Sequence, residues 1–530
     1  MRISTTQFYE VSTKNYQRNY ENLIKTQQEV SSGIKLNTAS DDPVGAARVL
    51  QLAQQNSMLT QYKSNIGVIN TNIANSETAM ESIKSSMQAA RELIIKGGNG
   101  SFTDADRISV AGELKQLQSE ILGLMNTQDS NGQYIFSGSK SSIPPYSMNS
   151  DGTYAYDGDQ TTMDLAVGDG LKLPSNVTGW EAFEKSVNTT RTSTTVTAGP
   201  DDGKVVFSAG LVKSTGTYNA QFQGGEPYSV SFTSGTQFQI TDKDGVDRTA
   251  EVSTAGVFNA KTADSQVFTF RGVELTVNVN LTTAEKTDAA SMTAALASRT
   301  FALGSTPDSV TTIRSPGNAS AATIPQASVG TSDADKAAYN NTFPANGATL
   351  RYSSTNGYEL YETPYQAGKT PVGTGVVSGS DVTVAGVKFT IAGGPPADGD
   401  TFTVEAGTHQ TENILNTLTA AIKALTSPTD GNLLATQKIQ SSLTSALGNV
   451  TSNIEQVCSA VSAGGARQVA AMAQDSTNEL LIGNNTVEAG KIVNTDQVEA
   501  STRLTLQKTM LEASQMVFSQ LSKLNLFSQI

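Results

Sequence analysis

The chain has 530 residues, of which 16% are charged, with a net charge of -13, one cysteine and one histidine. That length allows several domains, each with its own core. The acidic balance argues against a phosphate-tracking surface and so against nucleic acid as a partner, while Cys458 and His409 alone exclude an internal disulfide framework and any site needing several Cys or His ligands.

The opening MRISTTQFYEVSTKNYQRNY carries a positive residue but no apolar run after it, so no cleaved signal peptide of the usual kind is expected there. Nowhere do roughly 20 consecutive apolar residues mark a membrane span, and no membrane insertion is expected. Tyr16, Tyr20, Leu23, Gln27 and Val30 form a narrow stripe at helical spacing. After it, Gly33 is suited to end the first helix and Asp41 and Asp42 to cap the next. Pro43 suits a first helical turn, where its missing N–H does no harm.

Ile69, Ile73, Ser76, Met80, Ile83, Met87, Ala90 and Ile94 step by four and three residues, which predicts one buried helical stripe broken only by Ser76. Gly97, Gly98, Asn99 and Gly100 form a turn. Thr103, Asp104 and Asp106 then cap a helix striped by Val110, Leu114, Leu117, Ile121 and Leu124.

From about 140 to 405 the composition shifts to Gly, Thr, Val and Asp, with short alternating runs at 228–232, 268–279 and 382–391, which reads as β structure. Asp242, Asp244 and Asp247 superficially resemble the start of a calcium loop. Ser253 stands where that loop needs a bidentate glutamate, so a β-turn at Asp244-Gly245 is expected instead. His409 is the sole histidine available as a base and is expected to be a hinge or surface residue. With no phosphate-binding loop or dinucleotide fingerprint either, no catalytic, cofactor or metal site is expected.

A further stripe, Leu443, Leu447, Val450, Ile454, Val457 and Val461, is expected to stop at Gly464-Gly465, with Cys458 beside it as a small, partly buried hydrophobe. Leu504, Leu511 and Phe518, with Met510, Val517, Leu521 and Leu524 beside them, form the last seam. The two terminal seams are expected to pair with each other and with neighbouring subunits, and to remain frayed until covered, since isolated helices of this length are marginal in water. An ordinary helix pair within one monomer is the plainer alternative.

These elements predict an α+β multidomain chain: a helical stem, a coiled-coil-like bundle built from both termini, plus a mostly β inserted outer region. The expected division is 1–42 and 493–530 as terminal assembly segments, 43–143 and 408–492 as a helical rod domain, 144–290 as one β outer subdomain and 291–407 as a second.

Residues 31–48, with Gly33, Asn37, Asp41, Asp42, Pro43 and Gly45, resemble the most recognisable stretch of the flagellin superfamily. The start MRIST, the segment GQYIFSG at 132–138 and the segment NTDQVEA at 494–500 are similar to one group within it, the hook-associated protein 3 family of hook-filament junction proteins. The resemblance implies a structural component of the bacterial flagellum, extracellular, exported unfolded by the flagellar type III apparatus. It implies a ring of identical subunits joining hook-associated protein 1 to flagellin, and a flagellar export chaperone that holds the C-terminal helices beforehand. Filament flagellin itself is an alternative reading, as is an adhesin-like binding module carried on a flagellar stem.

Overall fold

The computed structural model describes residues 5–149, 152–262, 265–306, 309–330, 332–344, 347–407, 410–429 and 431–523. His409 and Leu524 lie outside them. The chain opens with α1 (Thr5–Ser32), α2 (Pro43–Gly97) and α3 (Asp104–Met125). Two hairpins follow, β1 (Tyr146–Met148) with β2 (Tyr154–Tyr156) and β3 (Asp164–Gly168) with β4 (Leu171–Pro174). Next come β5 (Thr192–Ala198), β6 (Val205–Phe207), β7 (Leu211–Val212), the single turn α4 (Thr215–Thr217), β8 (Tyr228–Ser234), β9 (Gln237–Thr241), β10 (Gln266–Phe270), β11 (Val273–Val279), α5 (Ala289–Leu296) and β12 (Thr300–Ser305). A second run holds β13 (Ser309–Arg314), β14 (Thr323–Val329), α6 (Asp333–Thr342), β15 (Ala348–Ser353), β16 (Gly357–Glu362), β17 (Gly373–Thr374), β18 (Val376–Ser378), β19 (Asp381–Val384), β20 (Val387–Ala392) and β21 (Thr401–Gly407). The chain closes with α7 (Ile414–Leu425), α8 (Leu433–Val493) and α9 (Gln497–Lys523).

Two compact units result, one formed within 1–72, 164–175 and 465–530, the other within 73–163 and 176–464. The first unit is helical apart from the β3–β4 hairpin. That hairpin is held by amide side chains from two helices: Asn65 donates to the Ala166 carbonyl at 2.7 Å and Asn478 to the Val167 carbonyl at 2.9 Å. Both donors satisfy backbone oxygens that would be costly to bury unpaired.

The second unit contains three hydrophobic cores. In the helical one, every member of the α2 stripe from Ile73 to Ile94 is buried, Ser76 included, against Val110, Leu114 and Ile121 of α3, Leu418 and Leu425 of α7, and Leu443, Val450 and Val457 of α8. The reciprocal capping box of Thr103 and Asp106 starts α3, and Asn413 caps α7. Strands β5-β12-β8-β9 and β10-β11-β6, with β7 on β11, enclose the second core. The third lies under a nine-stranded antiparallel sheet of order β17-β16-β15-β21-β13-β14-β20-β19-β18. Its end strands β17 and β18 are separated in sequence only by Gly375, so the sheet curls round until one extended segment serves both edges. Closure of this kind removes the unpaired edges that invite aggregation.

Four sequence expectations are corrected. Tyr146, Val177 and Phe183 belong to the helical core, so the β region's own packing begins well after the expected boundary at 144. Met292 and Leu296 of α5 and Phe301 and Leu303 of β12 fill the second core, so the boundary expected at 290–291 falls after β12. Composition records local preference, whereas β12 is committed by its pairing with β5 and β8. Helix α8 runs straight through Gly464-Gly465, because a mid-helix glycine costs only about 1 kcal/mol. Cys458 is exposed rather than partly buried, one residue and hence about 100° round the helix from buried Val457.

The expected turn at Asp244-Gly245 is present. The Asp242 carboxylate accepts from the amides of Asp244 and Val246 and from Arg248 at 2.8–3.1 Å, which occupies the oxygens a cation would need.

Candidate assembly surface

The candidate site is the α1–α9 pair in the first unit, together with the linkers that join these helices to α2 and α8. The two linkers lock each other. Ile34 and Asn494 form an antiparallel bridge, the Lys35 amide donates to the Val493 carbonyl at 2.8 Å, and the Thr495 amide donates to the Gly33 carbonyl at 2.9 Å. Gly33 ends α1 at φ +73°, a left-handed conformation that a side chain disfavours.

The two aspartates of the motif divide their work. Asp42 caps α2, accepting from the Gly45 amide at 2.9 Å with Pro43 in the first turn. A Cβ on Gly45 would stand 2.4 Å from the Asp42 Oδ2 and 3.0 Å from Ile492, so glycine leaves room for the cap. Asp41, expected as a second cap, instead organises the linker: its carboxylate accepts from the Asn37 and Thr38 amides and pairs with Lys25 at 2.6 Å. The Lys25 hydrogen bond, helped by Thr38, holds the Asp41 carboxyl down at about 2. A depressed folded pKa means that this contribution is complete above the ordinary 3.8 and is lost as pH falls through about 2. The Asn37 side chain reaches back to the Ile34 carbonyl at 3.5 Å. Asp42→Ala is expected to destabilise the first unit by about 1 kcal/mol, read as a lowered denaturant midpoint with unchanged slope.

The terminal seams, expected to fray until covered, are helical and cover one another. Tyr16 stacks on Phe518 with ring centroids 6.2 Å apart, and Leu511 is buried. Leu23, Val30 and Leu504 are half-buried. Polar contacts that the apolar spacing did not reveal add to the seam: Arg503 pairs with buried Glu29 at 2.9 Å, and Asn19 donates to Ser514 at 2.8 Å. Such partners leave no periodic trace in a sequence, because any polar residue satisfies the pattern of an exposed face.

Tyr20 and Val517, predicted in the same seam, are exposed. Leu521 lies in α9, but its side chain, like Leu524 as a whole, is outside the described residues. With Val11, Ile24, Leu506, Met510 and Met516 also exposed, each helix keeps apolar residues that its partner does not cover. The pair is thus half-satisfied: one apolar row buried between the helices, another facing solvent. No helix among the described residues is long and apolar enough to cross a membrane.

Residues 3–141 match the family described as the bacterial flagellin N-terminal helical region. Flagellar hook-associated protein 3 of Salmonella typhimurium is 28% identical over 183 residues, which cover 34% of this chain and 57% of that protein. Flagellar hook-associated protein 3 of Escherichia coli is 30% identical over 147 residues, covering 28% and 46%. The chain therefore spans about half the length of these relatives. A crystal structure of flagellar hook-associated protein 3 from Legionella pneumophila aligns with 84% of this chain and 98% of its own at 18% identity and a TM-score of 0.49. Residues 3–141 thus resemble a bacterial flagellin N-terminal helical region, in a chain similar over about half their length to flagellar hook-associated protein 3 of two organisms.

Proposed function

We propose that this chain is a structural, non-catalytic part of the bacterial flagellum that joins hook to filament, reaching the cell exterior by flagellar type III export. Its partners are then hook-associated protein 1 on one side, flagellin on the other, further copies of itself in a ring, and an export chaperone on the C-terminal helices. Segments 1–42 and 493–530 serve assembly, and the β region projects as an outer part. The observation that carries the reading is the half-covered α1–α9 pair, whose outer apolar row gains burial only against another protein.

The relatives' names support the junction role in particular. A filament subunit is the second reading, favoured by the 30% identity over 131 residues to a flagellar filament 41 kDa core protein of Borreliella burgdorferi. Removal of the gene separates the two. Cells without filaments that release flagellin into the medium are the expected result for a junction protein, and cells that still grow a normal filament overturn it.

A further inference from the structure

An asparagine followed by glycine carries its own reaction. The glycine nitrogen attacks the side-chain carbon of the asparagine, because no Cβ obstructs the approach and the backbone is free to turn. The chain holds four such pairs, at Asn99, Asn131, Asn346 and Asn356. Asn346 lies outside the described residues; the other three are exposed, in turns with different surroundings.

Two of these three are held off. At Asn131 the Gly132 N–H donates to the Asp129 carbonyl at 3.0 Å, and the Asn131 amide nitrogen donates to the Asp129 carboxylate at 3.3 Å. At Asn356 the amide nitrogen donates to the carboxylate of buried Glu359 at 2.8 Å, and Gly357 is fixed opposite Ser353 in the β15–β16 ladder. In both, a carboxylate sits against the group on which negative charge would develop, and the glycine is tied down. Asn99 is the opposite case. Its Oδ1 accepts from the Ser101 amide at 3.1 Å and from the Ser101 hydroxyl at 2.9 Å, so two donors already rest on the oxygen that becomes anionic during attack. A side-chain bond to the amide two residues on closes an Asx turn, which lays the side-chain carbon alongside the intervening Gly100 peptide. The Gly100 N–H makes no hydrogen bond among the described residues. Asn99, Gly100 and Ser101 are all exposed, so water reaches them.

We propose that Asn99-Gly100 is a self-modification site: in the folded chain it closes to a succinimide and reopens mainly as isoaspartate, while the fold protects Asn131 and Asn356. The Gly100 nitrogen gives its proton to hydroxide and bonds to Asn99 Cγ. The Cγ–Nδ2 bond then breaks, and the nitrogen takes a proton from water and leaves as ammonia, which restores the hydroxide. Water next adds to one of the two ring carbonyls. Opening at the main-chain carbonyl gives isoaspartate, and opening at Cγ gives aspartate. In the isoaspartyl product the Asn99 carbonyl oxygen, which accepts from the Phe102 amide at 3.1 Å, becomes part of a free carboxylate. The main chain gains one atom in the turn, and a negative charge appears after α2, at the carbonyl end of its dipole. Both changes loosen the turn that carries Phe102, whose side chain packs on the helical core. Loss of ammonia makes the step one-way, so the modified fraction records the age of the molecule.

The test is peptide mapping by mass spectrometry of the full chain, incubated folded in mildly alkaline buffer and, in parallel, in denaturant. The readouts are the mass change of NH exchanged for O at each asparagine, and the chromatographic separation of isoaspartyl from aspartyl peptides. In the folded chain Asn99 is expected to convert roughly tenfold faster than Asn131 or Asn356, with isoaspartate the major product. In denaturant the three should convert at similar rates, because the dipeptide is the same. Ser101→Ala, which removes one of the two donors, is expected to slow Asn99 roughly fivefold, the size of one net hydrogen bond. A Cβ on Gly100 meets only the Gln440 Nε2, at 3.6 Å, so Gly100→Ala keeps the fold. It is expected to slow Asn99 on the order of tenfold, because a Cβ narrows the backbone angles that bring nitrogen onto carbon. Folded Asn99 converting no faster than Asn131 or Asn356, the same ranking in denaturant, aspartate without isoaspartate, or an undiminished rate in either variant overturns the proposal.

Discussion

Replacing Leu506, Met510 and Val517 together with serine is expected to leave the isolated chain folded and to stop it joining an assembly. The three residues recur at spacings of four and seven, on one stripe of α9, and are 60%, 52% and 48% exposed. In the free chain they bury little, so serine at each changes stability by no more than about 0.5 kcal/mol. Covered by a neighbouring helix, each contributes about 1.5 kcal/mol or more, and removal of all three weakens association roughly a thousandfold. Circular dichroism of the monomer should match the wild type, while incorporation into flagella or sedimentation of oligomers should fall to background. Assembly at the wild-type level would sink the proposal that this row is the docking face. Leu511, about 100° round α9 from Met510 and only 7% exposed, is the control. Its replacement by serine should loosen the α1–α9 pair itself and appear as lost monomer stability.

A second large effect is expected from Phe207→Ala. The Phe207 ring on β6 meets Phe301 of β12 at 5.0 Å, Phe238 of β9 at 5.8 Å, Phe232 of β8 at 6.0 Å and Phe268 of β10 at 6.1 Å. It therefore ties one sheet of this subdomain to the other. Deleting a ring with four aromatic neighbours leaves a cavity that the surrounding strands cannot close, at a cost of about 3–5 kcal/mol. The helical core shares no residue with this cluster. Denaturation should accordingly resolve an early loss of this subdomain's strands, followed by helix melting at the wild-type midpoint. A single transition in which helices and strands shift together would show that they unfold as one body, against the separate cores described above.

The α2 stripe was legible because burial against one face imposes a period: from Ile69 to Ile94 every predicted position is buried, even Ser76. The Gly33–Pro43 link was legible because caps and left-handed glycines need specific residue types, although only the structure assigned Asp42 to the helix and Asp41 to Lys25 and the linker amides. The terminal seams were legible as apolar rows. Which members face inward was not: Leu511 is buried and Val517 exposed, although both sit in the same heptad-like pattern.

What the sequence determined by itself was the class of each segment and the resemblance carried by its motifs, since propensity, periodicity and turn chemistry are local properties written in consecutive residues. Only the tertiary structure decided where the subdomains end, that Asn413 and Glu184 meet, and that the nine-stranded sheet closes through Gly375. Those facts depend on pairings between residues far apart in the chain. A pairing is fixed by the mutual burial and hydrogen bonding of both partners, and neither partner's own neighbours in sequence record it.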